Sequence, residues 1–452
     1  MKLSRSAILA PVPGRDEILL VQPLSGQAAL LERDKAAALE RLASGGPLPE
    51  GLPEETLRAA RFVVDSEDDD RALLAEAWAA WSDEAEKTPT QLIVVPTFGC
   101  NLRCTYCYQE VFDPSARGLI APEVIDAFFG FVDARFRDEA QRPYLTLFGG
   151  EPLVDTPAHH DRLRRFLDGA KARGMKVAAV TNGYDLAAFA DELSGGGVKE
   201  IQVTLDGPQA IHDARRPHGT GAGTFARAVR GVEALVAAGV PVNLRVVVDR
   251  DNMEHLPALA QIAQEKGWLH LPESRFKTQI GRNYELFGCA AQQHRDALFD
   301  RVTLWTRFAE LAGAHPALKR FHLPRFHGIR HLAENGELPV ANFDACPAAK
   351  KEWAFSPDGG LYGCTATVGN PRYRLGSFWP ELRIDEAAVA PWQARNVTTI
   401  EKCRTCEVAT VCGGGCGALA DAHGEGIGGP DCRPVKELYG LGAKFYGLGE
   451  AG

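Results

Sequence analysis

The sequence predicts an α/β protein: a partial (β/α)6 barrel with a small α+β module before it and a Cys-rich domain after it. Three observations carry this. Six apolar runs of strand length, at 92–95, 145–148, 177–180, 201–205, 244–248 and 275–280, alternate with amphipathic helical stretches such as 122–136, 161–173 and 225–238. Strands separated by helices of roughly 10–15 residues make repeated βα units and a parallel sheet. The rhythm differs before residue 91 and fades after about residue 310, where Gly, Pro and Cys become frequent.

The 452 residues suffice for roughly two to four domains. With 45% hydrophobic and 24% charged residues the chain has a globular balance. Its net charge of −9 and lack of a basic stripe exclude a nucleic-acid footprint and disfavour an anionic membrane surface. The N-terminal apolar run is cut by Pro11 and Pro13, too short for a signal peptide, and no apolar stretch reaches the length of a membrane span. A cytoplasmic location is expected. Eleven cysteines in a reducing compartment argue for metal binding or catalysis rather than disulfides.

In chain order, residues 1–90 form the first module. Runs 7–11, 18–23 and 28–31 read as short strands joined by turns at Pro13-Gly14 and Ser25-Gly26. Helices are expected over 35–42, 54–62 and 72–81, with the acidic run 65–70 as a solvated turn and helix start. Residues 91–310 supply the six βα units, an open barrel whose ligands belong at the C-terminal ends of the strands. Residues 311–452 have short elements only, so this domain is expected to lean on metal sites for stability.

Directly after the first strand stand Cys100, Cys104 and Cys107, a C-x3-C-x2-C triplet. Thiolates are soft donors suited to iron–sulfur clusters. Three of them hold three irons of a [4Fe–4S] cube and leave the fourth open to a ligand. A zinc site, the alternative, would lack a nearby fourth Cys or His.

The triplet, with Tyr106 before its third cysteine, resembles the radical SAM superfamily. Gly149, Gly150, Glu151 and Pro152 end the second strand, where that resemblance implies contact with the methionine ammonium. Thr181 and Asn182 end the third strand and are implied contacts to ribose or carboxylate, or else an ordinary Asn-Gly turn. Thr204, in Val203-Thr204-Leu205-Asp206-Gly207, begins the segment similar to the family's fourth strand; there Arg216 is implied to pair with the S-adenosylmethionine carboxylate. His212 reads as a structural residue, and Arg245 as a site contact or an ordinary ion-paired arginine. The implied chemistry is reductive cleavage of S-adenosylmethionine to methionine and a 5′-deoxyadenosyl radical, which abstracts a substrate hydrogen.

The later cysteines, Cys346-x12-Gly359-x4-Cys364 and then Cys403-x2-Cys406-x5-Cys412-x3-Cys416 with Cys432 after fifteen more residues, resemble the SPASM extension of that superfamily. The resemblance implies two auxiliary [4Fe–4S] clusters, three in all. Cys346, Cys364 and Cys416 would hold the inner one, and Cys403, Cys406, Cys412 and Cys432 the outer one. Zinc knuckles are the alternative. The inner set lacks a fourth ligand, for which Cys289 and Asp344 are candidates, unless the iron is open to substrate. Cys289 is equally open to a role as hydrogen donor, as an epimerase needs, or as a buried bystander.

Relatives of this kind modify peptides or proteins and draw electrons from an external one-electron reductant, a flavodoxin or ferredoxin. The leading module resembles the winged-helix-like element that binds a leader segment by strand addition. The expectation is a maturase of ribosomally made peptides forming a thioether or carbon–carbon cross-link. A formylglycine-generating sulfatase maturase is a rival, although Thr365 stands where its Asp base would follow Cys364. A peptide epimerase and a non-catalytic electron-transfer protein are the others.

Overall fold

The computed structural model describes residues 1–42, 46–48, 51–111, 118–137, 141–283 and 296–450. The leading module pairs β1 (Lys2–Leu3) with β5 (Val63–Val64) and sets β2 (Ile8–Pro11), β3 (Glu17–Gln22) and β4 (Gln27–Glu32) in an antiparallel sheet. Its helices are α1 (Arg33–Leu42), α2 (Glu54–Ala59) and α3 (Glu67–Lys87). Successive strand residues point to opposite faces, and here both faces are covered. Leu9, Ile18 and Leu20 pack with Leu39 and Leu57 of the module's own helices, whereas Ile8, Leu19 and Val21 pack with Leu438 and Tyr439.

Helix α3 is longer than the expected 72–81. Ser66 and Asp69 form a reciprocal capping box, and Glu67, Asp68, Asp69 and Asp70 fill the first turn. Acidic side chains complement the positive helix start, so the charged run extends the helix instead of preceding it. Farther along α3, Trp78 and Trp81 pack on Phe343, with ring centroids 5.1 and 5.7 Å away.

Strands β6 (Gln91–Val94), β7 (Tyr144–Leu147), β8 (Val177–Thr181), β9 (Val198–Thr204), β10 (Val242–Val248) and β11 (Phe276–Arg282) lie parallel and side by side in chain order. The helices between them are α4 (Pro122–Phe136), α5 (Pro157–Lys171), α6 (Ala190–Ser194), α7 (Gln209–Arg215), α8 (Phe225–Ala237) and α9 (Leu256–Glu265). Among the described residues the sheet does not close: β11 is one edge.

The other side holds a surprise. After α10 (Arg301–Ala314), α11 (Pro316–Phe321) and α12 (Ile329–Asn335), strand β12 (Glu352–Phe355) pairs in parallel with β6. The antiparallel strands β13 (Gly360–Tyr362), β14 (Gly376–Ser377) and β15 (Arg383–Ile384) then carry the sheet to ten strands. Phe355 of β12 meets Phe128 and Phe131 of α4 edge-on at 5.0 and 5.1 Å, so the apolar core runs across the junction. The remaining helices are α13 (Glu386–Ala394), α14 (Ala409–Cys412), α15 (Gly417–Ala422) and α16 (Val435–Phe445). The last of these covers the leading module's sheet.

Candidate active site

The triplet loop leaves β6 and turns over the C-terminal ends of the strands, as the open-barrel geometry requires. It is tied down by backbone bonds: Arg103 N–H to the Pro217 carbonyl at 2.8 Å and Thr105 N–H to the Arg215 carbonyl at 2.9 Å. Gly150 and Glu151 donate to the carbonyls of Thr97 and Gly99 at 2.9 and 2.8 Å. This contact explains the glycines. Gly149 has φ +135°, and a Cβ there would lie 2.7 Å from the Thr97 oxygen; one on Gly150 would strike the Gly99 carbonyl.

Cys100, Cys104 and Cys107 line a cavity of about 410 Å³ together with Tyr106, Gly149, Gly150, Thr181, Asn182, Thr204, Arg216 and Arg245. Glu151 and Pro152 are not in its wall. The Glu151 carboxylate is buried behind it, accepting from Leu153 N–H at 2.9 Å, Thr181 Oγ1 at 2.7 Å and Asn182 N–H at 2.7 Å. Burial pushes its pKa up to about 7. It therefore splices the ends of β7 and β8, and Asn182 in turn donates to Asn101 Oδ1 at 2.8 Å, beside Cys100.

Arg216 is also held within the wall. Its Nη1 donates to Tyr106 Oη, which donates to Asp206, and Asp206 faces Arg216 at 3.9 Å and Arg215 at 3.6 Å. Asp206 is fully buried and also accepts from Val247 N–H at 3.0 Å. The sequence marked it only as part of a motif; the structure makes it the knot joining triplet loop, β9 and β10. Arg245 departs from the ion-paired alternative. Its side chain has no hydrogen bond or ion pair among the described residues, and its guanidinium lies over Gly281, where a Cβ would be 2.8 Å from Nη2.

His212 is buried and structural. Its Nδ1 accepts from Asp206 N–H at 3.2 Å, and its Nε2 meets Thr224 Oγ1 at 3.1 Å, whose hydroxyl proton goes to the Arg216 carbonyl. The ring is thereby fixed neutral. Burial, then the Arg216 charge, push its pKa down from 6.5 to about 4. A depressed histidine stabilises the fold fully above its unfolded value, and the benefit is lost as pH falls from 6.5 toward 4. Over that window His212 is expected to contribute a slope approaching roughly 1.4 kcal/mol per pH unit. Denaturant midpoints of the wild type and His212→Gln between pH 4 and 6.5 check this; parallel curves would refute it.

The second set of cysteines gathers into two groups. The Cys364 thiol is raised by burial, then by the charges of Glu352, Cys346 and Cys416. The Cys403 thiol is raised to about 11 by burial, then by Cys412, Cys406 and Cys432, and is lowered by Arg395. In the triplet, burial raises Cys100 to about 12 and Cys104 to about 11. Such thiols ionise only beside a bound cation. Among the described residues no three His, Cys, Asp or Glu side chains converge to hold a single metal ion.

Both Asp344 oxygens are engaged, one accepting from Cys346 N–H at 2.9 Å and the other paired with Lys350. Cys289 lies outside the described residues. The sequence offered no sign of Glu352, a charge opening an apolar strand. Its carboxyl, pushed up to about 7 by burial, accepts from Thr365 N–H at 3.1 Å, next to Cys364. Thr365 and Ala366 line the same cavity as the triplet, and Tyr108 Oη donates to the Thr365 carbonyl at 3.2 Å. The two cysteine regions thus share one chamber wall.

The sequence pattern of the radical SAM superfamily matches residues 94–263. The chain carries a radical SAM domain. Among curated proteins, mycofactocin maturase MftC of Mycobacterium ulcerans is 29% identical over 353 residues, 75% of this chain and 86% of MftC. A GTP 3′,8-cyclase of Mesorhizobium japonicum is 34% identical over 192 residues, 41% of this chain and 54% of the cyclase. Among solved structures, anSMEcpe with bound AdoMet and the Cp18Cys peptide aligns with TM-score 0.58 at 19% identity, over 79% of this chain and 96% of that one. Streptococcus suis SuiB aligns with TM-score 0.52 at 14% identity, over 96% and 99%. At these identities the structures establish the fold alone. Among the chain's described residues no helix is long and apolar enough to cross a membrane.

Proposed function

We propose that this radical SAM enzyme is a cytoplasmic maturase of a ribosomally made peptide, with three [4Fe–4S] clusters, one at the triplet and two in the Cys-rich domain. The observation that carries the peptide reading is β4. Its side chains are packed on both faces, yet among the described residues it pairs only with β3, so its other edge is open there. An open, otherwise supported edge is what strand addition by a leader segment needs. MftC, by its name a maturase, supports the same class.

The donor set fits the groups. Cys100, Cys104 and Cys107 would hold the first cluster, which with bound S-adenosylmethionine supplies the 5′-deoxyadenosyl radical. The chain's own residues orient and enclose. The Gly149-Gly150 backbone, fastened to the triplet loop, lines the cavity and would offer its carbonyls to an ammonium. Thr181, Asn182 and Thr204 offer hydroxyl and amide contacts, and Arg216 and Arg245 give the cavity positive charge for a carboxylate. Among the described lining residues there is no Asp, Glu or His. Thr365 stands after Cys364 where the Asp base of a sulfatase maturase is expected, and this favours the cross-linking reading. A flavodoxin or ferredoxin would deliver the electrons.

The test is anaerobic reconstitution with iron, sulfide, S-adenosylmethionine and dithionite, together with short peptides encoded beside the gene. The expected result is 5′-deoxyadenosine and a peptide lighter by two hydrogens. Release of 5′-deoxyadenosine with no change in any such peptide would overturn the maturase reading. No release at all, with clusters intact, would overturn radical chemistry.

A further inference from the structure

Arg395 is among the largest fully buried side chains, at 2% exposure. A guanidinium cannot shed its proton in a protein, so its charge is buried with it. No carboxylate among the described residues forms an ion pair with it. Lys350 and Asp344, close by, are paired to each other. Its partners are backbone carbonyls: Nη1 donates to Gly429 and to Ile427 at 3.3 Å, and Nη2 donates to Gly414. Nε has no hydrogen-bond partner among the described residues and faces Gly417, where a Cβ would lie 3.2 Å away. An isolated charge so placed is costly unless an opposite charge lies near.

The carbonyls show where that charge belongs. Gly414 stands between Cys412 and Cys416, and Ile427 and Gly429 lead to Cys432. The field of Arg395 also reaches Cys403. Cys403, Cys412 and Cys432 are three of the four residues assigned above to the outer cluster. A cube with four thiolate ligands is an anion and gains a further negative charge on reduction.

We propose that Arg395 is the buried countercharge of the outer auxiliary cluster, a positioning residue that raises its reduction potential while binding its two ligand loops together. The proposal rests on the auxiliary-cluster reading. A cation held close in a low-dielectric site stabilises the reduced, more negative cube over the oxidised one. It also offsets the repulsion of four thiolates in the assembled site.

The experiment uses the full-length chain with Cys100, Cys104 and Cys107 replaced by alanine, so that auxiliary clusters alone are observed. Iron content is measured and the clusters are titrated by EPR against a potential scale, for the parent and for Arg395→Gln and Arg395→Lys. Gln keeps a donor and loses the charge; Lys keeps the charge and loses the fork. With iron retained, Arg395→Gln is expected to shift one cluster's reduced-to-oxidised ratio at fixed potential at least tenfold toward oxidised, about 59 mV for one electron. Arg395→Lys should stay near the parent. Selective loss of iron in Arg395→Gln, with Arg395→Lys retaining it, equally supports the countercharge. Unchanged potentials, equal shifts in both variants, or equal iron loss in both assign Arg395 a packing role and overturn the proposal. A parent without auxiliary iron overturns the auxiliary-cluster reading first, and the countercharge with it.

Discussion

Cys104→Ala is expected to abolish formation of 5′-deoxyadenosine, a fall of at least about 10⁶-fold given the scale of enzymatic rate enhancement, while the protein still folds. The reason is local. The triplet loop is held by backbone bonds to Pro217, Arg215, Gly150 and Glu151, none of which involves a thiol. Removing one sulfur therefore leaves the loop in place and takes away one corner of the cluster's ligation. Cys104 also neighbours Arg216, whose charge lowers the thiol's pKa against the burial that raises it. Iron analysis and the circular dichroism melt separate the outcomes: lost activity with an unchanged melt is the expected pair. Retained turnover would remove the triplet from the chemistry.

The second large effect is expected at the open edge of β4. Truncating residues 1–90 is a blunt test, because Ile8, Leu19 and Val21 share a core with Leu438 and Tyr439 and their loss would uncover α16. Proline substitutions are sharper. Ala29 and Leu30 are adjacent, so one N–H faces β3 and the other faces outward. Proline removes the donor at either place. The outward one should keep the wild-type melt and weaken binding of a leader peptide about tenfold or more, the net worth of a backbone bond or two. The inward one should lower the melt. Fluorescence anisotropy with a labelled leader peptide reads the difference; full affinity in both variants would remove β4 from recognition.

Much of this architecture was legible in the sequence because the signals were periodic or covalent. Six apolar runs with intervening helices gave six parallel strands in order, and the triplet's position directly after the first run placed it at the strand ends. The limits have physical causes. Strand β12 is four residues long and looks like loop until β6 supplies its partner and Phe128 and Phe131 its packing. Asp206 and Glu352 are ordinary acids in the sequence, and only folding encloses them. Arg395 gave no sign, since burial of an arginine depends on carbonyls 19 to 34 residues away. The acidic run misplaced the start of α3 because charge there reads equally as turn or as first helical turn.

The parallel pairing of β12 with β6 has a consequence for anyone who would recombine such enzymes. Exchanging the Cys-rich tail for another at residue 311 would remove β12 to β15, four of the sheet's ten strands, leave β6 unpaired on that side and strip the aromatic seam from α4. A graft that respects the sheet keeps β12 and its Phe355 with the acceptor barrel and joins new sequence beyond it. The unit of inheritance in this chain is the sheet, and its usable seams lie in the turns after that strand.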